Sequence, residues 1–232
     1  MTELVLASRN KKKIVEMRTL LGEVFGDDVN ILSLDDIGFE GDIAEEGCTF
    51  EENSVTKAAA VAKLGYIGIA DDSGLAVDAL GGAPGVYSAR YSEDEPDDGT
   101  DRDTHNNTKL LRALEGVADA DRSAAFVSTV ACVFPEGYDA KLDGISHPAL
   151  CDNTPEMEKF AEGLKFFVVR GEFGGFINHK PAGCGGFGYD PLFFLPEYGM
   201  TSAEISADEK NRISHRGKAV RAFGQVLRTV IG

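Results

Sequence analysis

The sequence of 232 residues has no tryptophan, few cysteines and histidines, and no apolar run approaching the length of a transmembrane helix. Cys48, Cys132, Cys151 and Cys184 are widely spaced, with no C-x-x-C pair and no histidine-rich neighbourhood. That excludes a zinc ribbon and a disulfide framework, and leaves reduced structural thiols. The N-terminal "MTELVLASRNKKK" has too short an apolar run for a signal peptide, and its lysines follow the run instead of preceding it. A cytoplasmic location is expected. Basic residues are scarce too: 23 Lys and Arg stand against 39 Asp and Glu, a net charge of -16. Such a surface repels polyanions, so nucleic acid and anionic membranes are excluded as general partners. A small anionic molecule is not, because a few lysines with a metal ion can hold one inside an acidic protein. The positive charge is in fact clustered, at Lys11, Lys12 and Lys13 and again at Arg212, Arg216, Lys218 and Arg221.

What is present is an ordinary globular composition, 43% hydrophobic and 27% charged, with enough chain for a large core. A short strand, Leu4 to Ala7, precedes a helix from about Lys11 to Phe25 that carries Ile14, Met17, Leu21 and Val24 at helical spacing. Val29 to Leu34 alternates as a strand, and Asp35 to Gly47 is acidic and irregular. Thr49 opens a capping box with Glu52, predicting a helix to about Leu64. Tyr66 to Ala70 and Gly74 to Leu80 read as separate strands, with "GGAPG" as a tight turn. A helix is predicted from Asn106 to Glu115. A long strand follows, Ala124 to Phe134, with Val127, Thr129, Ala131 and Val133 on one face. Residues 135 to 163 read as a long loop or insertion. Leu164 to Arg170 and Glu172 to Ile177 read as a hairpin, and the C-terminus as a helix from about Ser214 with Val220, Phe223, Leu227 and Val230 on one stripe. Strands and helices alternate, give way to consecutive strands and end in helix. This predicts an α/β protein with a mixed sheet flanked by helices, one continuous domain over 1–232 with two lobes.

Five stretches carry chemistry. "SRNKKK", Ser8 to Lys13, lies at a strand-to-helix junction, where free backbone N–H groups attract anions. Ser8, Arg9, Asn10, Lys11, Lys12 and Lys13 supply hydroxyl, amide and cationic groups there, and a solvated cap is the competing reading. On the helix after Thr49, Asn53 and Lys57 share a face with Phe50, Val61 and Leu64. A lysine there needs an anionic partner, or else snorkels at the rim of the core. Asp71 and Asp72 follow an apolar strand, where open α/β sheets bind ligands. Neutralisation by Mg²⁺ or Mn²⁺ makes the pair tolerable, with Glu45 or Glu46 as a further ligand. Alternatively "DDSG" is a hydrophilic turn. "GGFGYDP" sets Phe187, Gly188, Tyr189 and Asp190 among glycines, suited to stacking on a base or to a packed turn. "EKNRISHRGKA" offers Lys210, His215 and Arg216 as donors toward a base edge, or an ordinary basic helix start.

Taken together these stretches resemble the inosine triphosphatase family of purine nucleoside triphosphate pyrophosphatases. "SRNKKK" is similar to that family's T/S-x-N-x-x-K start, and "TFEENSVTKA" to its T-F-x-E-N-A-x-x-K-A helix, with Ser54 in place of alanine. "ADDSGLAVDALGGAPGVYSARY", "GGFGYDPLFF" and "EKNRISHRGKA" match nearly residue for residue, in the same order, from Ser8 to Ala219. The resemblance implies hydrolysis of ITP, dITP and XTP to the monophosphate and pyrophosphate with Mg²⁺, an elongated α/β fold with a cleft between two lobes, and a homodimer. It implies that Ser8, Asn10, Lys13 and Lys57 hold the triphosphate and that Glu45 and Asp72 bind the metal, with Glu46 as the alternative to Glu45. Asp72 would also accept a proton, supported by Asp71, with Ser73 touching substrate. Phe187 to Asp190, Lys210, His215 and Arg216 would form the base pocket. Arg9 replaces a common glycine, its guanidinium turned to solvent or to a phosphate. The acidic run Ser92 to Asp101 and the 135–163 stretch are longer than the family pattern.

Two rival readings stay in view. One is a pyrophosphatase of similar fold for dTTP or UTP, which would lack "SHR" and "GGFGYDP". The other is a nucleotide sensor without catalysis, which would keep the lysines and lose a metal carboxylate.

Overall fold

The computed structural model describes residues 2–96 and 99–231, with the side chains of Lys12 and Asp27 outside the description; the predicted contribution of Lys12 to substrate binding, and Asp97 and Asp98 of the acidic run, therefore fall outside it. Among the described residues the strands β1 (Thr2–Leu6), β2 (Val29–Ser33), β3 (Ile67–Val77), β4 (Ser123–Val133), β5 (Phe166–Ile177), β6 (Phe193–Leu195) and β7 (Met200–Thr201) pair in the order β2-β1-β3-β4-β5-β6-β7. β1 runs parallel to both β2 and β3, while β6 is antiparallel to β5 and β7, so the sheet is mixed as the sequence predicts. The helices are α1 (Lys11–Phe25), α2 (Phe50–Ala62), α3 (Arg102–Ala113), α4 (Pro155–Ala161), α5 (Ala207–Ile213) and α6 (His215–Ile231). The chain divides into two compact units. The first comprises Met1–Asp72, Ser128–Gly171 and Arg216–Gly232, the second Ser73–Val127 and Glu172–His215.

In the first unit the strands bury both faces. Leu4, Leu6, Ile67, Ile69, Val130 and Cys132 form a core with Met17 and Leu21 of α1 and Val220, Phe223 and Leu227 of α6. Val5, Ala7, Ala70, Ala131 and Val133 form another with Val55, Ala58 and Val61 of α2 and Met157 and Ala161 of α4. The second unit has its own core, in which Leu75, Val77, Phe126, Phe173 and Phe193 pack with Leu110 and Leu114 of α3.

Several sequence expectations are corrected. Tyr66 to Ala70 and Gly74 to Leu80 are one strand: β3 runs unbroken through Asp71-Asp72-Ser73-Gly74. The predicted 164–177 hairpin is likewise a single strand, β5, which passes straight through Gly171. In both cases a turn-forming glycine sits where neighbouring strands pair on, and sheet hydrogen bonding overrides its local preference. β4 is buried on both faces from Phe126 onward, because helices cover each side. The 135–163 stretch is not loop throughout. It contains α4, whose start is set by the Thr154 side chain accepting from Met157 N and by Pro155 in the first turn. α3 begins earlier than predicted, capped by Asp101 accepting from Thr104 N. α2 stops at Ala62, which leaves Leu64 exposed and off the inward face. The Thr49–Glu52 capping box is present, with both reciprocal bonds. The cysteines are free thiols; burial raises the Cys132 thiol and pushes Cys151 up to about 12.

α2 lies unusually close to β3. A Cβ added at Gly68 would come within 2.1 Å of the Ala58 carbonyl oxygen, a backbone atom that cannot swing away. Gly68→Ala should therefore push α2 off the sheet and cost about 1–3 kcal/mol of stability, measured as a lower urea midpoint at unchanged m-value.

Candidate active site

Within the first unit, the side chains of neighbouring residues on a strand point to opposite faces. Ile69 and Ala70 belong to different cores for that reason, and the alternation carries on into Asp71 and Asp72. Asp71 meets Lys13 Nζ of α1 at 3.1 Å, Arg216 Nη2 of α6 at 3.3 Å and the Ser128 hydroxyl of β4, which donates at 2.6 Å. Asp72 meets Lys57 Nζ of α2 at 2.7 Å and Asn53 Nδ2 at 3.5 Å. The two adjacent carboxylates thus do not share one cation. Each is buried against its own, and they sit inside a strand rather than at its end. The strand end that matters is that of β1. Its ladder with β3 stops at Leu6–Ile69, and the chain then turns through Ser8 to Asn10 into α1 beside Asp71.

The Ser8–Lys13 turn is internally tied. Ser8 Oγ accepts from Asn10 N at 3.2 Å, and Asn10 Oδ1 accepts from Lys13 N at 3.3 Å. Lys11 is exposed at the helix start. Arg9 turns to the acidic 35–47 segment, donating to Phe39 O at 2.7 Å and Asp42 Oδ1 at 3.3 Å. That segment reaches α2 at its far end, where Gly47 N donates to Asn53 Oδ1 at 2.9 Å and Glu45 Oε1 accepts from Lys57 Nζ at 3.2 Å. Glu46, the alternative, is exposed, as Glu45 is; the bond to Lys57 is what distinguishes Glu45. Burial opposes the charge of Lys57, but Asp72 and Glu45 outweigh it and hold the ammonium above the usual lysine range. A raised lysine stabilises the fold fully below its ordinary pKa and loses that contribution as pH rises through the folded value.

Three residues at this centre were missed. Glu16, one turn after Lys13, pairs with Arg216 Nη1. Ser128 and Thr129 alternate across β4 as Asp71 and Asp72 do on β3. Thr129 donates to the Phe50 carbonyl at 2.9 Å and lies 3.2 Å from the Ser54 hydroxyl, tying β4 to the start of α2. No local signal marks Ser128 or Thr129, since small hydroxyl residues are ordinary in strands. Glu16 was legible as a carboxylate one helical turn from Lys13.

In the second unit, Phe187 is partly exposed and lies beneath Lys210 Nζ, 5.0 Å from its ring centroid. Asp190 is buried, pairs with Lys210, and accepts from Phe187 N at 2.8 Å and Ser202 Oγ at 2.9 Å. Gly186 is required here. At φ +72 it lies so close that an added Cβ would be 2.1 Å from Asp190 Oδ2. Tyr189 is buried and donates to Ser88 O at 2.8 Å. His215 stacks on Phe126 with centroids 5.0 Å apart, and Ser73 is half-buried at the start of this unit. Asp103 and Asn107 of α3, also missed, hold both backbone groups of Gly188, accepting from its N at 2.7 Å and donating to its O at 2.9 Å. Arg216, grouped with the base pocket by the sequence, has its guanidinium on Asp71 and Glu16 in the first unit.

Fold and site define the class: an α/β protein with a mixed sheet, in which one strand buries two aspartates, each against separate cations. The chain belongs to the Ham1 family, whose sequence model matches residues 4–226. It is 46% identical over 220 residues to a dITP/XTP pyrophosphatase of Nitratidesulfovibrio vulgaris, covering 94% of this chain and 92% of that one. It is 45% identical over 230 residues to the dITP/XTP pyrophosphatase of Shigella flexneri, covering 98% and 99%. A solved Ham1 protein from Coxiella burnetii superposes with a TM-score of 0.78 at 35% identity, covering 99% of this chain and 100% of that one.

Arg216 is 2% exposed and joins two carboxylates. Arg216→Met should leave Asp71 and Glu16 short of their shared cation and cost on the order of 3 kcal/mol in urea unfolding. Arg216→Lys should recover only part of it, because one ammonium cannot reproduce the two-pronged fork.

Proposed function

We propose that the protein hydrolyses nucleoside triphosphates bearing a non-standard purine, dITP, ITP and XTP, to the monophosphate and pyrophosphate with Mg²⁺. The observation that carries this reading is the cluster of buried Asp72 and Lys57 with Glu45 at its exposed rim, and Lys13 on the neighbouring Asp71. Acidic and cationic groups meet there as a metal–triphosphate complex requires, and full-length relatives are named dITP/XTP pyrophosphatases. Glu45 and Asp72 suit Mg²⁺, a hard cation usually held by one or two carboxylates plus substrate phosphates. Their oxygens already converge on a single cationic atom. Among the described residues no set of three His, Cys, Asp or Glu is placed to hold a metal ion. When bound, Mg²⁺ supplies a lowered water pKa and charge stabilisation of the leaving pyrophosphate.

The chain's own residues do the rest. Lys13 and Lys57 neutralise the triphosphate, and the turn from Ser8 to Asn10 offers hydroxyl, amide and backbone donors to it. Asp72 accepts a proton from the attacking water. In the second unit, Phe187 offers a stacking face and His215 a donor toward the O6 edge of the base. Adenine carries an amino group at that edge, so it would leave the donor unpaired, at about 1–3 kcal/mol. Arg216 is anchored by its ion pairs to Asp71 and Glu16 and supplies its charge from there. The reading includes a cytoplasmic location, where these nucleotides are handled, and the homodimer implied by the resemblance.

A pyrophosphate-release assay over ITP, XTP, ATP, dTTP and UTP tests this function and both rivals. The oxo-purines should lead; a lead for dTTP or UTP, or no turnover at all, defeats the reading. Asp72→Asn should lower kcat for XTP at least about a hundredfold with the far-UV spectrum unchanged. His215→Ala should cut kcat/KM for ITP and XTP at least about tenfold more than for ATP, equal to about 1.4 kcal/mol, whereas Phe187→Ala should weaken all purines together.

A further inference from the structure

Lys57 Nζ lies 2.7 Å from Asp72 Oδ1 and 3.2 Å from Glu45 Oε1, the two carboxylates read above as metal ligands. The lysine and Asp72 side chains are each 9% exposed. An ammonium so placed is already a cation in the metal's position. It is also firmly held there. α2 is fixed at its start by the capping box and by the Thr129 bond to Phe50, and it is pressed onto β3 at Gly68. A divalent ion arriving alone must take oxygens from Lys57 while leaving that buried ammonium beside a second positive charge, with no new anion to receive it. A metal ion arriving with a triphosphate brings that anion along.

We propose that Lys57 is the internal counter-ion of the metal site: it neutralises Glu45 and Asp72 in the free protein, keeps a free divalent cation out, and transfers to the triphosphate when the metal–nucleotide complex enters. This rests on the reading of Glu45 and Asp72 as metal ligands. The site then selects the metal–triphosphate complex as a unit. Metal and nucleotide each strengthen the binding of the other by the same factor, as linkage requires. Lys57 thereby acquires two successive roles, one on the carboxylates and one on the phosphates.

The test measures Mn²⁺ binding by loss of the free-ion paramagnetic resonance signal, without nucleotide, on the wild type and on Lys57→Met, Asp72→Asn and the double variant. Lys57→Gln serves as a second neutral replacement, and thermal melts verify folding. Either lysine replacement should tighten Mn²⁺ at least tenfold, about 1.4 kcal/mol. The double variant Lys57→Met/Asp72→Asn should lose that gain. In the wild type, a non-hydrolysable triphosphate analogue should tighten Mn²⁺ at least tenfold, and in Lys57→Met the enhancement should shrink. If neither lysine replacement tightens Mn²⁺ while Asp72→Asn abolishes the nucleotide-assisted binding, the counter-ion role is overturned and the ligand assignment stands. If the double variant keeps the full gain, Asp72 is not a ligand, and both fall.

Discussion

The period of two along β3 is the constraint on which the site depends. Two ionised aspartates side by side repel, and burying both without cations would cost several kcal/mol each. The strand resolves this by turning Asp71 toward α1 and α6 and Asp72 toward α2. The helices on the two faces then supply separate cations, Lys13 and Arg216 on one side and Lys57 on the other. Each aspartate also has a β4 neighbour of matching parity. Ser128 donates to Asp71, while the Thr129 hydroxyl reaches Phe50 O at the start of α2 and lies 3.4 Å from Asp72 O. A one-residue slip in β3 would exchange every one of these partners.

This arrangement makes the packing of the first unit a condition of its chemistry. Lys57 meets Asp72 because α2 rests against β3 at a glycine, and Glu45 meets Lys57 because the acidic segment is tied at Arg9 and again at Asn53. Buried ion pairs add little to stability beyond what an apolar core of similar volume would give. Under the proposed function, they supply the concentrated charge of both signs that a metal–triphosphate complex needs. The second unit follows a different logic. Its aromatic loop is held from beneath by Asp190 and from the side by Asp103 and Asn107, so Phe187 is presented by satisfied backbone groups rather than by strain.

Much of this was legible in the chain. Helix starts were readable where a cap announces itself, as at Thr49, and the apolar stripes of α1 and α6 matched their buried faces. The signal for α4 was also present, in Thr154 and Pro155, but the surrounding polar run hid it. The strands were less legible. Asp71-Asp72-Ser73-Gly74 has strong turn propensity, as does Gly171, yet both stretches lie in long strands. Propensity is a local quantity, and ladder hydrogen bonds on either side outweigh it. Among the candidate site residues, Lys13, Lys57, Asp71 and Asp72 were singled out by their pattern, and Glu45 was preferred to Glu46 only through the family resemblance, whereas Ser128, Thr129 and Asp103 carry no local mark.

The sequence by itself determined which residue types were available and in what order: lysines at two helix faces, adjacent carboxylates after an apolar run, an aromatic glycine-rich turn, and a histidine–arginine pair at a helix start. These follow from short-range spacing, which is written in the chain. Only the tertiary structure decided the pairing. Asp71 and Asp72, neighbours in sequence, were separated onto opposite faces, while Arg216 was brought to Asp71 across 145 positions and His215 was stacked on Phe126. Partner choice at such separations is set by strand register and helix packing, which depend on the whole core at once and leave no trace in any single segment.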